Sequence, residues 1–169
     1  MKSHRLALPF SVLGLSWLGL AALVLGTASR FPDKVATHFN AGGIPNGWMT
    51  RSQHVTGMLV MGIGLSLFIV GVFLLMRIAK GELINLPNRE YWLAPERKAE
   101  TLDDLLSRGV WLACMMVAFD AALHLLILRA NTQVPVLLSN THMGWLTGVL
   151  LTGIVIWLLG FLLHFFRKS

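Results

Sequence analysis

Asp120 and His124 stand four residues apart inside an otherwise uncharged apolar stretch, Gly109 to Leu128. Residues so spaced on a helix share a face, so the two side chains can meet directly. A carboxylate beside an imidazole can bind a cation, pass a proton or activate a water. Other polar groups could join them: His38 and Asn40 in "THFNAGGIPNGW" (37–48), and His142 just after the capping-type run Ser139-Asn140-Thr141. His38, Asn40, Asp120, His124 and His142 are therefore the candidate ligand-binding set. Histidines with a carboxylate are donors that zinc and similar divalent ions prefer. His38, His124 and His142 are accordingly the candidate metal ligands, with Asp120 as acid, base or fourth ligand and Asn40 orienting a ligand or water. No HExxH pair exists, so such a centre draws on three separate segments. His54, assigned to an outer loop, and His164 are read as lying outside the site.

These residues need a scaffold, and the composition says which kind. A mean hydropathy of +0.67 with 13% charged residues among 169 lies outside the range of an ordinary soluble globule. Four apolar stretches, at 6–28, 57–76, 109–128 and 143–166, each hold roughly 20 residues, enough to cross a hydrocarbon core of about 30 Å. The expectation is an all-α integral membrane protein, one membrane domain over 1–169, with outer loops 29–56 and 129–142 and an inner loop 77–108. The first stretch follows a positive start, Met1-Lys2-Ser3-His4-Arg5, but exceeds the roughly 7 to 15 apolar residues of a signal core, so it is read as a retained helix.

Ten of the 14 Lys and Arg residues fall at the two ends and in loop 77–108, and four fall in the other two loops. This asymmetry predicts both termini in the cytoplasm. The net charge of +6 then reflects topology and attraction to anionic lipid, and no basic, aromatic-interleaved surface suggests nucleic acid. Asp120, roughly 16 Å into the core at the helical rise, is costly there and should face the bundle interior or a wet cavity. Cys114, the single cysteine, permits no internal disulfide and reads as a small packing residue.

Small residues four apart, Ala22 with Gly26, Gly62 with Ser66 and Gly144 with Gly148, mark contact faces within the chain or between copies in a homo-oligomer. Loop 77–108 balances six basic against six acidic residues. From Pro95 it predicts an amphipathic helix with Ala99, Leu102, Leu106 and Val110 as its stripe, lying along the membrane surface before the third span. Upstream, Tyr91 and Trp92 suit the headgroup zone, and the whole loop could dock a cytoplasmic protein partner. In the outer loop, Val35 to Phe39 is β-prone, so His38 and Asn40 project to one side. Gly42-Gly43 and Pro45-Asn46-Gly47 supply two turn signals, and Trp48 can pin the loop to the membrane.

The stretch "PDKVATHFNAGGIPNGW" resembles the loop of a small bacterial membrane family, the domain of unknown function 1648. Pro32, Asp33, Val35, His38, Phe39, Asn40, Gly43, Asn46, Gly47 and Trp48 fill the family's pattern. "INLPNREYWLAPERKAETL" is similar to a stretch in one branch of it. The resemblance implies a bacterial inner-membrane location, with His38 and Asn40 as family features, and a relation to the SdpI-type immunity proteins, which carry further membrane helices. Three functions are open on the sequence: recognition of a ligand, peptide or ion at an outward polar site, with an immunity or signalling role; a metalloenzyme using a His/Asp-bound divalent ion; and a proton- or ion-coupled transporter.

Overall fold

Four helices, α1 (His4–Thr27), α2 (Arg51–Ile78), α4 (Lys98–Asn131) and α5 (Asn140–Phe166), are long and apolar enough to cross a membrane, and the chain is a multi-pass membrane protein. A hairpin of β1 (Lys34–Phe39) and β2 (Pro45–Thr50) joins α1 to α2, and a short helix, α3 (Arg89–Trp92), lies between α2 and α4. The computed structural model describes residues 4–80, 82 and 84–167. Met1-Lys2-Ser3 and Lys168, which entered the charge asymmetry, lie outside them.

α4 lies at the centre and touches α1, α2 and α5. Its buried positions Leu106, Val110, Ala113, Val117, Asp120, His124, Ile127 and Asn131 alternate spacings of four and three, the stripe by which a helix packs nearly parallel to its neighbours. Opposite it, α2 buries His54, Met58, Gly62, Ser66 and Val70, every fourth residue, and α1 buries Leu13, Leu20 and Val24. Cys114 is buried in the core that these three helices enclose, as a packing residue would be. Trp17 of α1 donates its Nε1–H to Ser66 Oγ across 2.8 Å, satisfying the indole within that core.

Two boundaries differ from the sequence reading. α2 begins at Arg51, six residues before the apolar run at 57, because Thr50 and Gln53 form a capping box: Thr50 Oγ1 accepts from Gln53 N and Gln53 Oε1 accepts from Thr50 N. His54 therefore sits inside a helix rather than in a loop. The helix expected along the surface from Pro95 is instead the first part of α4, one unbroken helix of 34 residues and about 51 Å. Its register never breaks, so the stripe through Leu102, Leu106 and Val110 runs on to Asp120 and His124.

The hairpin turns once, at Asn40–Ile44. Asn40 Oδ1 accepts from Gly42 N and Ile44 N, and Gly43 takes φ +75° with the Leu138 carbonyl against it, where a Cβ would lie 2.3 Å from that oxygen. The second turn signal, Pro45-Asn46-Gly47, lies in β2, paired back to β1 with His38 opposite Gly47 and Phe39 opposite Pro45. Of the three small-residue pairs, only Gly62 with Ser66 is packed within the chain; a Cβ at Gly26, Gly144 or Gly148 would meet nothing within 4 Å.

At the other end, the segment before α4 is fastened to the close of α5. Trp92 Nε1 donates to Phe165 O at 2.8 Å, Asn88 Nδ2 to Phe166 O at 3.0 Å, and Thr101 Oγ1 to Trp92 O at 2.8 Å. Ion pairs Arg77–Asp103 and Arg108–Asp104 flank this cap.

Candidate functional site

Where α1 ends and α2 begins, the central stripe of α4 turns polar. His124 is fully buried, Asp120 is 4% exposed and His54 of α2 is 3% exposed. The rings of His54 and His124 lie parallel within 8° with centroids 5.5 Å apart. Phe31 covers both, 4.7 Å from His54 and 5.3 Å from His124.

One hydroxyl fixes the state of His124. Thr27 Oγ1 donates its single proton to the Leu23 carbonyl at 2.7 Å, so across its 2.8 Å contact with His124 Nε2 it must accept. The neutral imidazole thus carries its hydrogen on Nε2 and presents a bare lone pair at Nδ1. That nitrogen is buried and has no protein partner, as are His54 Nε2 and Asp120 Oδ2. Buried polar atoms are nearly always paired, because an unmet one costs about 1–3 kcal/mol. Three on the facing buried stripes of α2 and α4 mark a region kept for something other than packing.

Asp120 and His124 share a face as the spacing predicts, yet they do not bond to each other. Thr27 takes His124, while the Asp120 carboxyl fills a notch left by Gly62. A Cβ at Gly62 would lie 2.7 Å from Asp120 Oδ2 and 2.4 Å from Leu20 Cδ2. A glycine on the facing helix is what admits the carboxyl at all.

The structure brings together Asp120 and His124, adds His54, and leaves His38, Asn40 and His142 elsewhere. His38 is exposed on β1, its Nδ1 3.1 Å from Thr37 Oγ1. Asn40 is spent on its own turn. His142 is exposed in the first turn of α5, its Nδ1 2.6 Å from Ser139 Oγ, and it borders a cavity lined by Arg129 on the flank of α4 away from His124. Among the described residues, no group of three or more His, Cys, Asp or Glu side chains is placed to hold a metal ion, so the triad His38, His124 and His142 is not assembled. The segments of His38 and His142 meet the same end of the bundle as His124 but leave those two side chains exposed.

The hairpin is bolted over the buried set. Asn131, one turn beyond Ile127, pairs with the backbone of Ala36 as a neighbouring strand would: its Oδ1 accepts from Ala36 N at 2.8 Å and its Nδ2 donates to Ala36 O at 2.9 Å. Arg51 bonds Asp33 through side chain and backbone, and Asn140 Nδ2 donates to Ala41 O at 2.7 Å. Sequence reasoning missed His54, Thr27, Phe31 and Asn131. A signal for His54 existed: the small-residue face Gly62 and Ser66, stepped back by fours, passes Met58 and lands on His54.

Residues 15–63, covering the second half of α1, the hairpin and the first half of α2, match the family model described as Domain of unknown function (DUF1648), and the match supports membership of that family. Thr27, Phe31, His54 and Gly62 fall within the matched residues; Asp120 and His124 fall outside them. The match does not bear on a relation to the SdpI-type immunity proteins. No curated protein and no solved structure matches the chain.

Proposed function

We propose that this is a recognition and signalling protein of a bacterial inner membrane, its hairpin outward, in which Asp120, His124 and His54 take up protons that set the stance of the hairpin. The observation that carries the reading is the set of buried, unpartnered atoms on Asp120, His124 and His54, with the two imidazoles directly beneath Phe31. His124 Nδ1 is an open acceptor, and Asp120 supplies a compensating carboxylate one turn deeper. Once both imidazoles are charged, two unit charges 5.5 Å apart repel by about 3 kcal/mol at an effective dielectric near 20. Phe31 rests on both rings, so a change in their spacing reaches the 31–36 segment and β1. The hairpin exposes Ile44, Trp48 and Met49, apolar side chains suited to a peptide or another membrane-borne ligand. Outward orientation is supported by the excess of Lys and Arg at the opposite end. There the segment from 77 to 108, tied to both α4 and α5, offers a surface to a cytoplasmic partner.

A through-pathway is the weaker reading. Beyond Asp120 the bundle centre is closed by Leu13, Val70, Leu106, Val110, Ala113 and Val117, with no ionisable side chain among them. A polar set with only apolar packing below it suits binding rather than transport.

Spin labels at Asn46 on the hairpin and Leu151 on α5, in a Cys114→Ala background in nanodiscs, test the coupling by pulsed dipolar spectroscopy. The distance distribution is expected to differ between pH 8 and pH 4, and to stop differing in His54→Leu/His124→Phe. An unchanged distribution in the unsubstituted background, or a full response in the double variant, overturns the reading.

A further inference from the structure

Away from the buried histidines, α4 and α5 leave a groove open to the membrane. Its outer part, about 260 Å³, is lined by Ala122, Leu125, Leu126, Arg129, His142 and Leu146. A second cavity of about 300 Å³ shares Ala122 and Leu146 and continues down to Met115 and Gly153. From Arg129 to Met115 is 14 residues, about 21 Å along the helix. That exceeds the roughly 15 Å of one hydrocarbon leaflet, so the groove reaches from headgroup level to the bilayer centre.

Its polarity is graded. The deep part is apolar, with Phe119, Val149 and Leu150 among its walls. The mouth carries Arg129, which is exposed and forms no ion pair with a described residue. His142 stands beside it with Nδ1 engaged by Ser139 and no hydrogen bond from Nε2 to a described residue. The first turn of α5, 27 residues long, adds the positive end of its dipole. A guanidinium above an apolar slot matches one ligand class in both parts. A helix with side chains is 10–12 Å across, too broad for so small a volume drawn out over this length, whereas a single chain of methylenes fits.

We infer that the α4–α5 groove is a binding site for an anionic phospholipid of the hairpin-side leaflet, with the phosphate at Arg129 and His142 and one acyl chain between Ala122 and Met115. It assigns to His142 a ligand separate from the buried site. It also accounts for the sparse packing of α5, whose apolar window has no buried residues.

The full chain, reconstituted in nanodiscs of equimolar phosphatidylglycerol and phosphatidylcholine and released into mild detergent, is read by native mass spectrometry. One retained phospholipid per chain is expected, phosphatidylglycerol over phosphatidylcholine by about fivefold, the scale of one basic residue at an anionic surface. Arg129→Gln, a surface change that leaves the fold intact, should bring that ratio to about one. Ala122→Phe fills the junction of the two cavities and should strip the lipid while circular dichroism stays helical. Retention undiminished in Ala122→Phe, no lipid on the unsubstituted chain, or a dimer without lipid in which a second copy occupies the groove each overturns the inference.

Discussion

The two ends of the bundle treat buried polarity in opposite ways. Around Trp92 the donors are matched: indole to the Phe165 carbonyl and Thr101 hydroxyl to the Trp92 carbonyl. Around His124, polarity is left open. Among the described residues, the buried side-chain atoms without a partner are on Arg51, His54, Asp120 and His124, all toward the hairpin. An end that only holds the fold together has every reason to satisfy its polar groups. An end that must accept something keeps acceptors free and accepts the loss in stability. The difference sets a paired clasp at one end against buried polar groups without protein partners at the other.

The comparison breaks hardest at the hairpin's own fastening. Asn131→Leu removes both bonds to Ala36 and leaves its N–H and carbonyl buried, at about 1–3 kcal/mol each, so a loss of about 2–6 kcal/mol is expected. Thermal unfolding in detergent should register it, and hydrogen exchange should locate it in β1 with the Trp92 region still protected. Loss of protection at both ends together would mean that the two are one cooperative unit. Next in size is Gly62→Val. Its Cβ meets Leu20 and the Asp120 carboxyl, and overpacking of this kind costs about 1–3 kcal/mol. The same substitution at Gly148, where a Cβ meets nothing, should leave the melting temperature within a degree or two.

The four spans were legible because hydrophobicity over about 20 residues is additive and local. Asp120 and His124 were legible as a pair because helical spacing alone places them on one face. Their partners were not. Whether Asp120 meets His124 depends on what the facing helices offer, and Thr27 on α1 and Gly62 on α2 lie 97 and 58 residues away in sequence from the groups they engage. His54 was hidden for a different reason. A polar first turn such as Arg51-Ser52-Gln53 does not look like membrane helix, although the capping box Thr50 to Gln53 extends the helix over it and carries His54 onto the buried stripe. The histidines on the hairpin and α5 were drawn into the site by residue type, which says nothing about which side of a strand or helix faces inward.

The smallest effects give the sharpest contrast, because one conservative exchange at each end should move stability in opposite directions. His54→Phe keeps an aromatic ring beside His124 and Phe31 while deleting the unpartnered Nε2. With a buried polar atom removed and the volume retained, stability should rise by about 1 kcal/mol, while the pH response of the hairpin is lost. Thr101→Val is equally close in shape but removes a hydroxyl that donates to the Trp92 carbonyl, so stability should fall by about 1 kcal/mol. Paired melting curves in one detergent decide it. If both variants lose stability, the His54 nitrogen has a partner in the native membrane, and the hairpin end is a second clasp rather than a site.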